Sequence, residues 1–485
     1  MTRAQVDAII VGSGPNGLAA GVVLARAGLE VVLYEANPDI GGGARTSEAT
    51  LPGFRHDWGA AVHPMAFASP FFRDFQLTDR VEFSVPDASY AHPVVGAASG
   101  IAWHDLDRTV DALGADGAAW RRLFGPLAQH IDRYIQLAMS PMQQGVRTPL
   151  TTASYGVRVL AHSTPLGALA FRDRIAPAML AGVLAHSIGP IPSFGTAAPG
   201  LMLGALAHTA GWPIPRHGTQ SITDALASDF RANGGTIVTG ARITDLAELP
   251  PARAVLFDTD PGQLLRIAGR RLAPGYVRAL NRFRHGNAAS KVDFALSGPI
   301  PWADPDIRSA GTVHVGGTRA EISAAEQEVA AGRHAEAPYV LLSQPSIVDP
   351  TRAPGSAHSV WTYAHVPAGS DLDMTEAVTA QIERFAPGFR DLVLASHATP
   401  ATAIERGNAN FVGGDIAGGA VDLRQLVARP RLGADPWRAG TGLYLCSASA
   451  TPGPGVHGMG GYHAARTALR DVFGAAVPEL GRSSS

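Results

Sequence analysis

Residues 6–35 read VDAIIVGSGPNGLAAGVVLARAGLEVVLYE. Val6 to Val11 is a short apolar run, rich in β-branched residues, that stops at Gly12; this length and composition fit a buried parallel strand. Gly12, Gly14 and Gly17 then form a G-x-G-x-x-G at the strand's carboxyl end. The first glycine allows a tight turn, the second lets a pyrophosphate approach the backbone, and Gly17 lets the following helix lie close to the sheet. That helix aims its unpaired amides and positive dipole end at the turn, so a diphosphate there needs no lysine. Ser13, Pro15 and Asn16, which complete the turn, are expected to contact the same group.

Three glycines alone say little in a chain with 55 of them, and the spacing recurs at Gly453, Gly455 and Gly458. The first copy is distinguished by its continuation: Gly21 for close packing, Gly28 at the helix end, Val31 to Tyr34 as a second apolar strand, and Glu35 at its tip. A carboxylate at that tip, with Ala36 beside it, accepts hydrogen bonds from the two ribose hydroxyls of an adenosine and repels a 2′-phosphate. FAD or NAD is therefore favoured over NADP. The later glycine copy follows its strand at too great a distance and has no acidic strand tip after it, so NAD(P)H is not expected as a second tight partner.

The chain of 485 residues has material for about three domains, interleaved in sequence. Its net charge of −2 provides no long-range field for nucleic acid, which is set aside as a partner. Cys446 is the only cysteine, which excludes an internal disulfide, a CxxC redox centre and a thiolate metal cluster; no metal site is expected. Any redox chemistry must then come from a bound cofactor. Cys446 itself reads as a small buried residue in a strand, and Lys291, the sole lysine beside 38 arginines, as compositional bias. No run of 18 apolar residues is present, and Met1 to Gln5 is short and polar, so the expected location is cytoplasmic, with peripheral membrane contact left open.

Beyond Glu35 comes a second glycine cluster, Gly41-Gly42-Gly43-Ala44-Arg45, and then Phe54-Arg55-His56-Asp57-Trp58-Gly59-Ala60. The joined words GSGPNG, GLEVVLYE, GGGART and FRHDWGAAVHP resemble the flavin-dependent amine oxidase and phytoene desaturase superfamily. The passage GWPIPRHGTQ at Gly211 to Gln220, and the words DPTRAPG, YAHVPAG and IERFAPGFR further on, carry the same likeness. The resemblance implies an α/β fold: a Rossmann-type FAD-binding domain interleaved with an antiparallel-sheet substrate domain and a helical insertion. It implies FAD as cofactor, with Gly42, Gly43, Ala44 and Arg45 closing over the pyrophosphate and Gly59, Ala60 and Ile243 also in contact. Relatives usually carry arginine where this chain has Gly43, and its role is expected to pass to Arg45. The resemblance also lays Ser447, Ser449, Gly455 and Val456 along the ribityl chain and turns the following helix start toward the flavin pyrimidine ring. His457, at that helix mouth, is the expected catalytic side chain; His56, His63 and His217 are weaker candidates.

The expected division is a first cofactor-domain part at 1–109, a helical insertion at 110–212, a second cofactor-domain part at 213–288, a substrate sheet at 289–400 and a final cofactor-domain part at 401–485. The insertion is poor in charge and suits a lid over an apolar ligand. The expected activity is dehydrogenation of a hydrophobic, polyene-like substrate by hydride transfer to the flavin, reoxidised by oxygen or a quinone, in a monomer or homodimer. Polyene isomerisation, amine oxidation and a flavin-bearing binding or assembly role are the alternatives.

Overall fold

The computed structural model describes residues 5–141, 145 and 148–481. The opening stretch forms β1 (Val6–Val11), α1 (Pro15–Arg26) and β2 (Val31–Tyr34). β1 lies in the middle of its sheet, with Ile10 opposite Leu33 on one side and Leu256 on the other. Both faces of β1 are covered, and Ala8, Ile9 and Ile10 are wholly buried, which explains its continuous apolar run. Burial of each isoleucine stabilises the fold by about 1.5–3 kcal/mol.

The chain leaves this sheet for β3 (Ala88–His92) and β4 (Gly100–Trp103), then builds the helices α2 (Gly117–Gln129), α3 (Ile131–Ala138), α4 (Pro149–His162), α5 (Ile175–Ala185) and α6 (Phe194–Ala207). It returns through α7 (Gln220–Ala232), β5 (Thr236–Val238) and β6 (Ala252–Phe257). A single turn at Leu246–Glu248 stands between the last two strands, so the connection is short. Next come β7 (Ala288–Leu296), β8 (Thr312–Val315), α8 (Arg319–Ala330), β9 (Val340–Ser343), β10 (His358–Val366) and β11 (Val393–Thr399). β12 (Arg438–Gly440), β13 (Leu443–Leu445) and α9 (Met459–Ala468) close the chain around the first sheet.

Two sheets result. The first has the order β12-β13-β6-β1-β2-β5 and is parallel except at β12. The second has the order β11-β7-β10-β9-β8-β3-β4 and is antiparallel except where β8 runs parallel to β3. The fold is thus α/β, with a Rossmann-like half and an interleaved, largely antiparallel half. One correction concerns the boundary expected at residue 109. β3 and β4 fall within 1–109 but extend the second sheet, because β3 pairs with β8, more than 200 residues away.

A buried ion cluster joins the halves. Arg352, with no exposed surface, donates to Asp57 at 2.8 Å and Asp349 at 2.9 Å, and to the Pro215 carbonyl at 3.2 Å. Asp57 belongs to the segment after the second glycine cluster, so this contact ties the Rossmann-like half to the loop before β10.

Candidate functional site

One cleft, with a cavity volume of about 270 Å³, runs along the carboxyl end of β1 and β2. Its wall contains Gly12, Ser13, Gly14, Pro15, Asn16, Glu35, Ala36, Gly42, Gly43, Ala44, Gly59, Ala60, Ile243, Ser447, Ser449, Gly455 and Val456. Segments from six separate parts of the chain are therefore brought together.

The local geometry explains the glycines. An added Cβ on Gly17 would lie 2.1 Å from the Gly12 carbonyl, and one on Gly12, whose φ is +102°, would lie 2.6 Å from the Asp258 carbonyl. The second cluster packs on the first, since a Cβ on Gly42 would meet the Gly14 Cα at 3.0 Å. Gly43 lies against Phe411, whose ring would be 2.8 Å from an added Cβ, so a side chain at this position would need Phe411 to move. Phe411 in turn stacks on Trp58, with centroids 5.8 Å apart.

Glu35 is buried and held by four donors. Oε2 accepts from the Ser13 amide at 2.9 Å and the Ser13 hydroxyl at 2.6 Å; Oε1 accepts from the Asn37 amide at 2.8 Å and its side-chain amide at 3.1 Å. Two of these donors are backbone groups that fix the carboxylate in place. The other two are side chains that rotate, so ligand hydroxyls have room to replace them.

Asp258, at the end of β6, stands in no motif that sequence reading singles out. Its Oδ2 accepts from the Gly17 amide at 3.0 Å, at the start of α1. Burial is the main cause that raises its pKa to about 6; the Gly17 amide opposes this and the nearby Glu35 adds to it. Arg406, Asn408, Asn410 and Phe411 also line the cleft and are likewise absent from the sequence-based candidates. Asn410 links this loop to the Rossmann half by donating to the Asp258 carbonyl at 2.9 Å and accepting from the Asp260 amide at 2.8 Å. The loop has no local signature that distinguishes it from an ordinary Gly/Asn turn.

Gly17, Arg45 and His457 lie outside the cleft wall. The Gly17 amide faces Asp258. Arg45 donates to the carbonyls of Gly42 at 2.8 Å and Gly407 at 3.0 Å and lies over the Trp58 ring. It braces the glycine cluster from behind. His457 is buried, with Nε2 donating to the Gly453 carbonyl at 3.2 Å and Nδ1 accepting from the Met459 amide at 3.1 Å. Burial lowers its pKa to about 4, so the ring is neutral and both nitrogens are engaged by backbone. It holds the loop rather than presenting itself to the cleft. His56 and His63 bond Thr50 and Thr219, each at 2.8 Å, and neither they nor His217 line the cleft.

α9 packs directly on α1. A Cβ on Gly461 would lie 1.8 Å from the Asn16 carbonyl, and one on Gly460 would lie 2.4 Å from the Cys446 carbonyl. Cys446 is wholly buried just after β13, and burial pushes its thiol up, so it is inert. Lys291 is buried on β7 and paired with Asp293, whose other oxygen lies 3.5 Å from His56 Nδ1. Burial raises the Asp293 carboxyl while Lys291 opposes that rise. Within the helical region, the crevice between residues 162–171 and α5 has a cavity volume of only about 10 Å³, space for roughly one water. Among the described residues no group of histidine, cysteine and carboxylate is placed to hold a metal, and no helix is long and apolar enough to cross a membrane.

These features agree with known proteins. A family described as an NAD(P)-binding Rossmann-like domain matches residues 10–75. The chain is 26% identical to the mouse pyridine nucleotide-disulfide oxidoreductase domain-containing protein 2, covering 97% of this chain and 94% of that one. It is 29% identical to a limonene dehydrogenase subunit from Castellaniella defragrans, over 27% of this chain and 24% of that protein. Among solved structures, wild-type putrescine oxidase bound to putrescine superposes with a TM-score of 0.59 at 16% identity, covering 97% of this chain and 100% of the oxidase. The chain thus contains a Rossmann-like domain and shares its overall fold with putrescine oxidase.

Proposed function

We propose that the cleft binds FAD and that the protein is an FAD-dependent oxidoreductase that dehydrogenates an apolar small molecule. The observation that carries this reading is the composition of the cleft. Its Glu35 end offers a fixed carboxylate and a glycine turn under a helix start, whereas its Ser447–Val456 end, with Gly59 and Ala60, offers no titratable side chain. Such a site binds and orients a group that brings its own reactivity. When bound, FAD would supply the hydride acceptor and pass electrons to oxygen or a quinone.

The chain's own residues have binding roles. Glu35 would accept the ribose hydroxyls in place of the Ser13 hydroxyl and the Asn37 side-chain amide. The diphosphate would lie between the glycine turn and Gly42. Ser447, Ser449, Gly455 and Val456 would hold the ring end, and the Phe411–Trp58 stack would close one side against water. The partial likeness to the limonene dehydrogenase protein supports an apolar substrate. The fold shared with putrescine oxidase over most of the chain supports a second reading, amine oxidation.

The test is to denature the purified protein and quantify released flavin, with one FAD per chain expected. Anaerobic bleaching by a monoterpene or polyene hydrocarbon is then compared with bleaching by a diamine. Bleaching by hydrocarbon, with a product that has lost two hydrogens, supports the first reading; a product of unchanged mass, formed on flavin reduced beforehand and without net bleaching, would mean isomerisation. Bleaching by amine alone selects the second. A colourless protein that takes up no added FAD rejects both, and bound flavin that no substrate reduces points to a non-enzymatic role.

A further inference from the structure

The five most exposed large apolar side chains among the described residues all lie between residues 150 and 169: Leu150 at 85%, Leu169 at 78%, Leu166 at 69%, Val157 at 68% and Leu160 at 62%. Their grouping follows from helix geometry. On α4, Leu150, Ala153, Val157, Leu160 and Ala161 recur at three-, four- and one-residue steps, which places them on one face. The opposite face holds α4 to the protein: Val159 is buried there, and the Tyr155 hydroxyl donates to the Ala198 carbonyl of α6. Leu166 and Leu169 extend the outer face through the turn at Pro165–Ala170.

Charge in this region is one-sided. Residues 133–172 contain four arginines and neither aspartate nor glutamate, in a chain that as a whole has 39 basic and 41 acidic residues. Arg319 of α8 reaches its edge, 3.5 Å from the Pro165 carbonyl.

We propose that α4 and residues 165–170 form a docking face for an anionic bilayer surface. A helix of 14 residues is about 21 Å long, too short to cross the hydrocarbon core but suited to lie in the interface with its apolar stripe among the acyl chains. Arg158, Arg172 and Arg319, which stand on or beside it, then meet anionic headgroups. The face is purely aliphatic and lacks the exposed Tyr and Trp that anchor protein partners. A second copy would bring the same arginines against each other across a two-fold axis.

The experiment is flotation of the purified full-length protein with vesicles of phosphatidylcholine alone and of phosphatidylcholine mixed with phosphatidylglycerol. The wild type floats with the mixed vesicles and less with the neutral ones, and salt weakens attachment without abolishing it. Val157→Glu combined with Leu160→Glu lowers the floated fraction by about tenfold or more, since two apolar anchors become anions. Both sites are exposed, so the melting temperature and far-ultraviolet circular dichroism stay as in the wild type. The proposal is overturned if the wild type stays at the bottom with both vesicles, or if the double variant floats equally well. It is also overturned if light scattering finds a dimer that the double variant dissociates while no vesicle carries the protein.

Discussion

Glu35 is the residue whose chemistry is most specific. Its carboxylate is held by the backbone amides of Ser13 and Asn37, so a ligand that bonds to it meets a charge already in place. Glu35→Gln keeps the size and one acceptor oxygen but loses the charge and turns two N–H donors toward a site full of donors. FAD affinity should fall by about 1–3 kcal/mol, the usual cost for a charge-assisted hydrogen bond. Fluorescence titration of the apoprotein measures this directly, and an unchanged dissociation constant would place the ribose elsewhere.

At the level of elements, the start of α1 has an unusual neighbour. Helix amides that favour an anion face the Asp258 carboxylate, whose pKa burial raises to about 6. A bound diphosphate would add negative charge beside it and raise the pKa further. The complex should therefore take up a proton near neutral pH, and FAD affinity should fall as pH rises through about 6 and beyond. Asp258→Asn removes the titrating group while leaving an oxygen to accept from the Gly17 amide. Titrations from pH 5 to pH 8 should then lose most of their pH dependence; a slope equal to that of the wild type would assign the effect to another group.

For the whole molecule, the Arg352 cluster is the contact whose loss should be felt most widely. Burial works against ionisation of Asp57, but Arg352 and the hydrogen bonds from Thr219 and Thr46 hold its carboxyl below the usual 3.8. Asp349 is likewise held below 3.8 against the effect of burial, by Thr351, His217 and Arg352. Because these folded-state pKa values are depressed, the stability they contribute is present above about 3.8 and is lost as pH falls below it, through the folded values. Arg352→Met leaves two buried carboxylates without a cation and should cost about 3–5 kcal/mol. Urea denaturation at neutral pH measures the loss, and Asp57→Asn combined with Asp349→Asn in the same background should recover part of it. A variant as stable as the wild type would show that the halves are held together without this cluster.

How far the sequence reaches depends on which interactions are local. β1, the glycine turn, α1, β2 and Glu35 occupy 30 consecutive residues, and strand period, turn chemistry and helix length are all set within that span. The same holds for Gly59 and Ala60, recognised through a word whose residues are neighbours in the chain. Other features arise only between distant segments. β3 becomes a strand of the second sheet by pairing with β8, and strand partners so far apart leave no periodic trace. Position 43 leaves little space for a side chain because Phe411 lies against it, and Lys291 is buried beside Asp293 where β7 lies against the segment carrying His56. His457 shows the converse. Its position at a helix mouth is visible in the sequence, but the Gly453 carbonyl and the Met459 amide take both ring nitrogens, and only the folded loop decides that. Sequence alone determined the nucleotide-binding unit because short-range geometry specifies it; packing decided which of the remaining polar residues meet the cleft, because burial and partner choice are properties of the assembled fold.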